Sequence, residues 1–206
     1  MSVASRRRAA YGTYSSARQD AKSQSRRALI DATCDLVLTL GAQAVTIDKI
    51  VAQAGLSRPT FYLHFQSRDG IFAALRRHMV ETLDQLYDLL SAIETCEETA
   101  ITDWIMRMLA ACRRDRKLVL TLMRAGTAPG MAFDPNAYYD TVIARLSLRF
   151  ERFRRARTDP AIHAEALLLL MQLEGAIRYV AVGEDDRDDL RFAAPITRSF
   201  IRFVEA

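Results

Sequence analysis

The sequence is short of cysteine, proline and glycine, and it has no long apolar run. Its three cysteines, Cys34, Cys96 and Cys112, make no closed disulfide set and lack metal-ligand spacing, so we expect a reducing cytoplasm and no metal or other cofactor. Eight glycines and five prolines in 206 residues, half of them apolar, are typical of a helical globular protein. The longest apolar run, residues 166–171, is far below the ~18 residues that span a membrane, and no apolar secretory segment follows the N-terminal arginines.

Acidic side chains are scarce in the first third of the chain. Residues 1–70 carry ten Lys or Arg and five Asp or Glu, whereas the remaining residues carry 19 and 20. A basic segment joined to a near-neutral one favours a polyanionic partner that binds the N-terminal part only. The alternative is an ordinary solvated charged surface.

Residues 46–55 have the pattern of a short capped helix. Thr46 is a good N-cap because its hydroxyl accepts a hydrogen bond from the free amides of the first turn. Gly55 follows the last periodic residue and takes a left-handed conformation without steric cost. The apolar residues between them recur at helical spacing: Ile47, Ile50, Val51 and Ala54.

A second short helix is predicted directly after this one. Ser57 is a second cap, and Pro59 is tolerated in the first turn, where amides have no intrahelical partner. Phe61 and Phe65 fall on one side of the helix at about 100° per residue, so we expect them in the core. Leu63 falls on the solvent side, where an apolar residue suits a thymine methyl group or a sugar.

Two helices joined by a short glycine-containing turn, the second polar outward, form the helix-turn-helix pattern. We expect Arg58 and Thr60 to meet base edges, and Tyr62 and His64 to hydrogen-bond phosphates. These residues point to double-stranded DNA as the polyanionic partner.

The segment 55–75, GLSRPTFYLHFQSRDGIFAAL, resembles the signature of the TetR family of bacterial transcriptional repressors. The resemblance is sharp over residues 24–75 and implies a three-helix DNA-binding head, an all-helical ligand-binding body and a homodimer. It also places Arg68 where family members direct a basic residue at a phosphate. The predicted DNA-binding residues are then Thr46, Ser57, Arg58, Pro59, Thr60, Tyr62, Leu63, His64 and Arg68.

These signals divide an all-α chain into three predicted segments. Residues 1–22, rich in Ser, Ala and Arg, are predicted to be a disordered basic arm. Its arginines at 6–8 either contact DNA beside the head or belong to a tail without function. Residues 23–67 are the predicted helix-turn-helix domain, with its first helix at 23–40. Residues 68–206 are the predicted helical regulatory and dimerisation body.

Six helices are predicted in the body from apolar spacing and cap residues. Asp134-Pro135 and Asp159-Pro160 each place a capping carboxylate before a first-turn proline. Pro195 lies inside the last helix and is predicted to kink or divide it. The predicted bounds are 68–93, 101–113, 115–125, 134–157, 160–182 and 187–204.

The predicted helix at 160–182 is apolar nearly all round in its middle. A helix on a monomer surface should keep a polar stripe, and one without it is usually covered on two sides. We assign it, with the last helix, to an isologous two-fold interface, which the family resemblance also implies; the alternative is that both helices are internal core. The predicted interface residues are Leu167, Leu170, Met171, Glu174, Arg178, Ile196 and Phe200.

A ligand-responsive body needs a cavity, and such cavities are mostly apolar with a few polar groups. The candidate lining residues come from different predicted helices and suit a bulky apolar or aromatic effector with one or two polar handles. They are Trp104, Met108, Met123, Tyr138, Phe150 and Gln172.

The leading hypothesis is a homodimeric repressor that binds a palindromic operator, with half-site centres roughly 34–36 Å apart, and is released by a small effector. Effector binding would favour a state in which the helix at 68–93 swings and the heads separate. The alternatives are control by a partner protein, or by oxidation of Cys96 or of Cys112, which precedes two arginines. An enzyme with a vestigial head is a remote alternative, because the sequence shows no catalytic set, phosphate loop or nucleophile elbow.

Overall fold

The chain is built from helices. The computed structural model describes residues 3–93, 96–125, 134–183 and 187–206, with side chains from residue 18 on except those of 135, 187 and 188. No strand occurs among these residues, which confirms the predicted all-α class. Besides a 3-10 turn at Ala42–Ala44, the described elements are α1 (Val3–Leu40), α2 (Ile47–Ala54), α3 (Arg58–Tyr62), α4 (Arg68–Ser91), α5 (Glu98–Arg114), α6 (Arg116–Ala125), α7 (Pro135–Leu146), α8 (Glu151–Ala156), α9 (Pro160–Val182) and α10 (Arg187–Glu205).

The described residues fold into two compact units. The first reaches Leu75, and the second contains the described residues from Arg76 on; they are termed the head and the body. In the head, α1 packs against α2 and α3. Helical spacing puts apolar side chains of all the head helices into one core, whose fully buried members include Leu29, Val37, Val45, Ile50, Phe61, Ile71 and Phe72.

Helix α1 begins at Val3, earlier than the start near residue 23 that the sequence predicts. The segment contains no proline and is rich in alanine and arginine, which favour helix, so its backbone continues the helix of the head. The predicted DNA contact of residues 6–8 lies outside the described side chains.

The core of the body joins aromatic side chains of α5, α8 and α10. Phe200 of α10 lies with its ring centroid 5.3 Å from Phe150 and 6.1 Å from Phe153. Trp104 of α5 packs beside it and donates from Nε1 to the carbonyl oxygen of Leu86, 2.6 Å away. Because α4 supplies that carbonyl, the indole fastens the second half of α4 to the rest of the body.

The predicted helix at 134–157 is wrong in one respect, because the structure divides it into α7 and α8. The chain leaves helical geometry after Leu146, and Phe150 has an extended backbone with φ −107° and ψ 123°. On the far side of the break, Phe150 and Phe153 both pack against Phe200.

Helices α5 and α10 are also joined by a buried ion pair. Arg113 donates from Nε to both carboxylate oxygens of Asp189 and from Nη2 to Oδ1, at 2.6–3.0 Å. At another level of the same helix pair, the Thr102 and Thr197 hydroxyls are 3.0 Å apart. α10 continues through Pro195, so the proline does not divide the helix as the sequence suggested.

Candidate nucleic-acid interface

The turn between α2 and α3 is shaped by three local interactions. The Thr46 hydroxyl accepts from the Lys49 amide at 3.3 Å, and the Ser57 hydroxyl accepts from the Thr60 amide at 3.3 Å. Between these caps, Gly55 ends α2 in the left-handed conformation, with φ 63°. The predicted caps and the predicted glycine turn are therefore confirmed, and they set α3 at a fixed angle to α2.

Two phenylalanines anchor α3 and leave its outer side in solvent. Phe61 and Phe65 are buried in the head, as predicted. Tyr62 stacks edge-on against Phe61 and stays 50% exposed, and Leu63 is 74% exposed. Leu63 therefore has no role in the core of the protomer and is accessible to a binding partner.

The polar residues of this surface differ in how freely they are presented. Arg58 forms an exposed ion pair with Asp48 at 3.3 Å, which costs little to exchange for a DNA contact. The Thr60 hydroxyl lies 2.9 Å from the Ser57 hydroxyl, so both belong to the cap of α3. Thr46 and Ser57 are thus placed to orient the backbone rather than to read bases.

Arg68 lies at the edge of the surface and is partly folded back onto the head. Its guanidinium is 3.4 Å from the carbonyl oxygen of Val45, 3.4 Å from the Asp69 carboxylate and 5.6 Å from the centre of the Phe72 ring. Three-quarters of its side chain is covered. Arg68 therefore braces the start of α4 in the absence of DNA.

His64 is held by α1, a contact that the sequence analysis missed. Its Nε2 lies 2.8 Å from the Ser25 hydroxyl, and Arg26 places its guanidinium 5.2 Å above the Phe65 ring. Burial lowers the pKa of His64, and the nearby Lys22 and Arg26 lower it further. Ser25 and His64 are 39 residues apart, so no local spacing signals the contact.

The predicted effector-binding residues are only partly brought together. Trp104, Met108 and Phe150 are buried in the body core, and Tyr138 is half-buried. Met123 and Gln172 are exposed, which corrects their assignment to an internal cavity; both lie on helix faces turned away from the core.

A small apolar cavity lies among α4, α5, α7, α9 and α10. Its volume is about 10 Å³, which is the space of a single water molecule. Of the predicted effector-binding residues, Trp104 lines it. The complete lining is Tyr87, Leu90, Trp104, Leu146, Leu169, Leu170, Leu173, Ile196 and Phe200. A bulky effector does not fit this cavity without movement of its walls.

A polar cluster lies between α4, α7 and α9. Arg145 donates to the carbonyl oxygen of Asp84 at 2.8 Å and pairs with its carboxylate at 3.0 Å. Tyr139 donates to the Glu174 carboxylate. Burial, reinforced by Asp84, raises the pKa of Tyr138, so that phenol stays protonated. The cluster offers hydrogen-bonding groups beside the apolar core of the body.

The predicted dimer residues fall into two groups. Leu170, Ile196 and Phe200 are buried within the protomer, which corrects their assignment to an interface. Leu167 and Glu174 are half-buried, while Met171 and Arg178 are exposed.

An exposed apolar stripe runs along α9, and the sequence analysis missed most of it. Leu168 is 61% exposed, and Gly175 in the middle of the stripe has open space where a Cβ would stand. The spacing of three and four residues keeps its members on one helix face. They are Leu168, Met171, Gly175, Tyr179 and Val182.

The cysteines do not have the properties of oxidant sensors. Burial raises the pKa of Cys112 to about 12, and Asp115 adds to this more than the neighbouring Arg114 offsets it. Burial also raises the pKa of Cys96. The pKa of Cys112 is therefore not lowered, because desolvation of the thiolate outweighs the attraction of Arg114.

Two kinds of feature are absent from the described residues. No helix there is long and apolar enough to cross a membrane. Within the same ranges, no group of three or more His, Cys, Asp or Glu side chains is arranged to hold a metal ion.

The head matches a known family of DNA-binding domains. Residues 29–75 match the family described as bacterial regulatory proteins, tetR family. Over 52 residues the chain is 38% identical to the uncharacterized HTH-type transcriptional regulator YdgC of Bacillus subtilis (strain 168). That alignment covers 25% of this chain and 27% of YdgC, so the chain spans about a quarter of the length of this relative.

The fold is shared with solved regulators along most of the chain. A TetR-like transcriptional regulator from Rhodococcus sp. RHA1 superposes with a TM-score of 0.66 at 20% identity, covering 88% of this chain and 96% of that one. SmeT, solved as a complex with triclosan, superposes with a TM-score of 0.60 at 19% identity, covering 85% and 90%. The matched proteins are transcriptional regulators, which are not enzymes.

Proposed function

Since this chain has the N-terminal domain and the fold of the TetR family of bacterial helix-turn-helix transcriptional regulators, we propose that it is a transcriptional repressor. It binds a palindromic operator as a homodimer in the cytoplasm and is released by a small, largely apolar effector. Residues 23–67 bind DNA, and residues 68–206 carry regulation and dimerisation. The observation that carries the proposal is the exposed outer side of α3, held in place by buried Phe61 and Phe65.

DNA recognition uses the residues that α3 presents. Arg58 exchanges its exposed pair with Asp48 for a base edge, because guanidinium groups bind guanine in a bidentate manner. Leu63 meets a thymine methyl group or a sugar, and Tyr62 reaches a phosphate. Arg68 leaves the Val45 carbonyl for a phosphate. Its contacts with that carbonyl and with the Asp69 carboxylate are both 3.4 Å long in the free protein, which is long for a hydrogen bond.

Dimerisation uses the apolar stripe of α9. Four exposed apolar side chains on one helix face favour burial against another protein surface. A two-fold axis through this stripe places the same residues of two protomers against each other. Two heads then read the two halves of a palindrome, with half-site centres roughly 34–36 Å apart.

Effector control acts through the body by a shift of population. The cavity among α4, α5, α7, α9 and α10 holds about 10 Å³, so the effector binds a state in which this region opens. The polar cluster around Arg145 and Asp84 lies on α4 and α7 and supplies hydrogen-bonding partners for the polar groups of the effector. The structure of SmeT with triclosan is a precedent for an apolar aromatic ligand on this fold.

Control by a partner protein is the second candidate, and the close packing of the body favours it. Screening the thermal midpoint of the protein against a library of apolar small molecules separates the two. A binder of the folded state raises the midpoint, by an amount that grows with its concentration over Kd. A small molecule that raises the midpoint and also releases the DNA supports control by an effector. If no small molecule binds and a second protein releases the DNA, control by a partner protein is supported.

Duplex selection tests the proposed function itself. The protein is incubated with a random-sequence duplex library, and the retained duplexes are sequenced and tested by gel shift. We expect enrichment of a palindrome and a salt-dependent affinity, as counterion release requires. A protein that retains no duplex even at low salt is not a DNA-binding regulator.

Arg58→Ala should reduce sequence specificity more than overall affinity. Loss of one bidentate base contact costs about 1–3 kcal/mol at one base pair, while binding to random duplex falls only slightly. The measurement is the ratio of Kd values for the selected palindrome and for random duplex. Arg124→Ala, at an exposed arginine of α6, is the matched control and should change neither value. If Arg58→Ala lowers the affinity for both duplexes equally, Arg58 contacts a phosphate instead of a base.

A further inference from the structure

The hydrogen bonds of Ser25 determine which nitrogen of His64 is protonated. The Ser25 hydroxyl lies 3.0 Å from the carbonyl oxygen of Lys22 and 2.8 Å from Nε2 of His64. A hydroxyl has one hydrogen and a carbonyl only accepts, so Ser25 donates to Lys22 and accepts from His64. Nε2 of His64 therefore carries the hydrogen of the neutral ring. Nδ1 is the nitrogen that gains a proton, and this does not disturb the bond to Ser25.

His64 shares its surroundings with two cations from α1. Lys22 and Arg26 are exposed and four residues apart, which places them on the same side of the helix. Arg26 is fixed above the Phe65 ring, next to His64. These two side chains supply both of the charges that act on the imidazole, and both oppose its protonation in the free protein. An anion at this place is attracted by Lys22 and Arg26, and also by His64 once its ring is protonated.

We propose that Lys22, Arg26 and His64 form a binding site for one DNA backbone phosphate, and that DNA binding there adds a proton to Nδ1 of His64. The inference rests on the proposed function, because the anion is a phosphate of bound duplex. It adds two residues of α1 to the DNA-binding surface. It also makes the affinity for DNA depend on pH at a site that reads no sequence.

The direction of the pH dependence follows from linkage. The pKa of His64 lies below its ordinary value in the free protein, and a phosphate at the site raises it. Between the two pKa values, the complex holds more protons than the free protein, so affinity rises as pH falls through the pKa of the complex. It levels off below the pKa of the free protein. Each unit between the two values corresponds to about a tenfold change in Kd.

The test measures Kd for a random-sequence duplex at about 50 mM salt, between about pH 5 and pH 8. Wild-type affinity should rise roughly tenfold on acidification. His64→Gln keeps an amide N–H for Ser25 but cannot titrate, so its affinity should be nearly constant with pH. His78→Gln, at an exposed histidine of α4, should behave as the wild type. Lys22→Ala combined with Arg26→Ala should reduce the slope of log K against log salt by about one for each bound head, because one phosphate per head is no longer neutralised.

NMR titration of the His64 ring separates the possible failures. We expect a higher pKa in the presence of saturating duplex than in its absence, with the resonance assigned by its loss in His64→Gln. A pKa that is unchanged while the duplex stays bound overturns this inference and leaves the proposed function intact. Absence of duplex binding at every pH overturns the proposed function. Equal pH dependence of the wild type and His64→Gln places the titrating group elsewhere and also overturns the inference.

Discussion

Asp189→Ala is expected to destabilise the body by about 3 kcal/mol, the lower end of the range for removing one partner of a buried ion pair. The Asp189 side chain is 8% exposed and that of Arg113 is 19% exposed, so alanine leaves a guanidinium largely out of water without its counter-charge. The midpoint of thermal unfolding should fall by roughly 6–12 °C for a unit of this size. The fluorescence of Trp104, the single tryptophan, reports this transition because its indole lies in the same core.

Two control variants isolate the buried charge. Asp189→Asn keeps one oxygen acceptor for Arg113 but loses the second acceptor and the negative charge, so it should cost less than alanine. Glu151→Ala removes the partner of Arg154 in an exposed pair, and it should change stability by less than about 0.5 kcal/mol. If Asp189→Ala is as mild as Glu151→Ala, the pair is not an anchor between α5 and α10.

The DNA-binding head was largely predictable because its signals are local. The cap of α2 joins residues three apart, the cap of α3 does the same, and Gly55 needs only its own backbone to end a helix. Such interactions can be recognised from a single sequence, and they fix the orientation of α3. The contact between Ser25 and His64 depends on how α1 crosses α3, and the sequence of neither segment specifies that crossing.

The body was predictable in its helices but not in its surfaces. Leu168 and Leu170 are neighbours of the same chemical kind on α9, yet the first is exposed and the second is buried. Two residues along a helix are rotated by about 200°, so the distinction depends on which side α5, α8 and α10 cover. A helix that is apolar nearly all round contains no polar stripe to indicate that side. The predicted interface therefore included the buried Leu170 and omitted the exposed Leu168.

The head and the body share one pattern, in which some apolar side chains of a helix remain exposed to solvent. In each unit a row of large apolar side chains is buried, and the opposite face keeps a few apolar groups in solvent. Leu63, directly after α3, is 74% exposed, and Leu168 on α9 is 61% exposed. Burying either one against its own protomer would need a different helix crossing. In the function proposed above, Leu63 meets DNA and Leu168 meets a second protomer.

Leu168→Glu should convert the proposed dimer into monomers. Full burial of a leucine stabilises by about 1.5–3 kcal/mol, and a two-fold interface contains each residue twice, so its loss costs about 3–6 kcal/mol per dimer. The dimer Kd should rise by a factor of roughly 10² to 10⁴, before any repulsion between the two new carboxylates is added. Sedimentation equilibrium over a range of protein concentrations measures the change. Affinity for a palindromic duplex should fall with it, because each monomer reads one half-site only.

Leu148→Glu is the matched control for this experiment. Leu148 is 81% exposed, between α7 and α8, and it lies outside the stripe of α9. The same substitution there adds the same charge to the body but should leave the dimer Kd unchanged. Met171→Glu, one turn along the stripe from Leu168, should again produce monomers. If Leu168→Glu and Leu148→Glu have the same dimer Kd as the wild type, the protein dimerises through another surface. If the wild type itself is monomeric at every concentration, the two-fold reading of a palindrome is excluded.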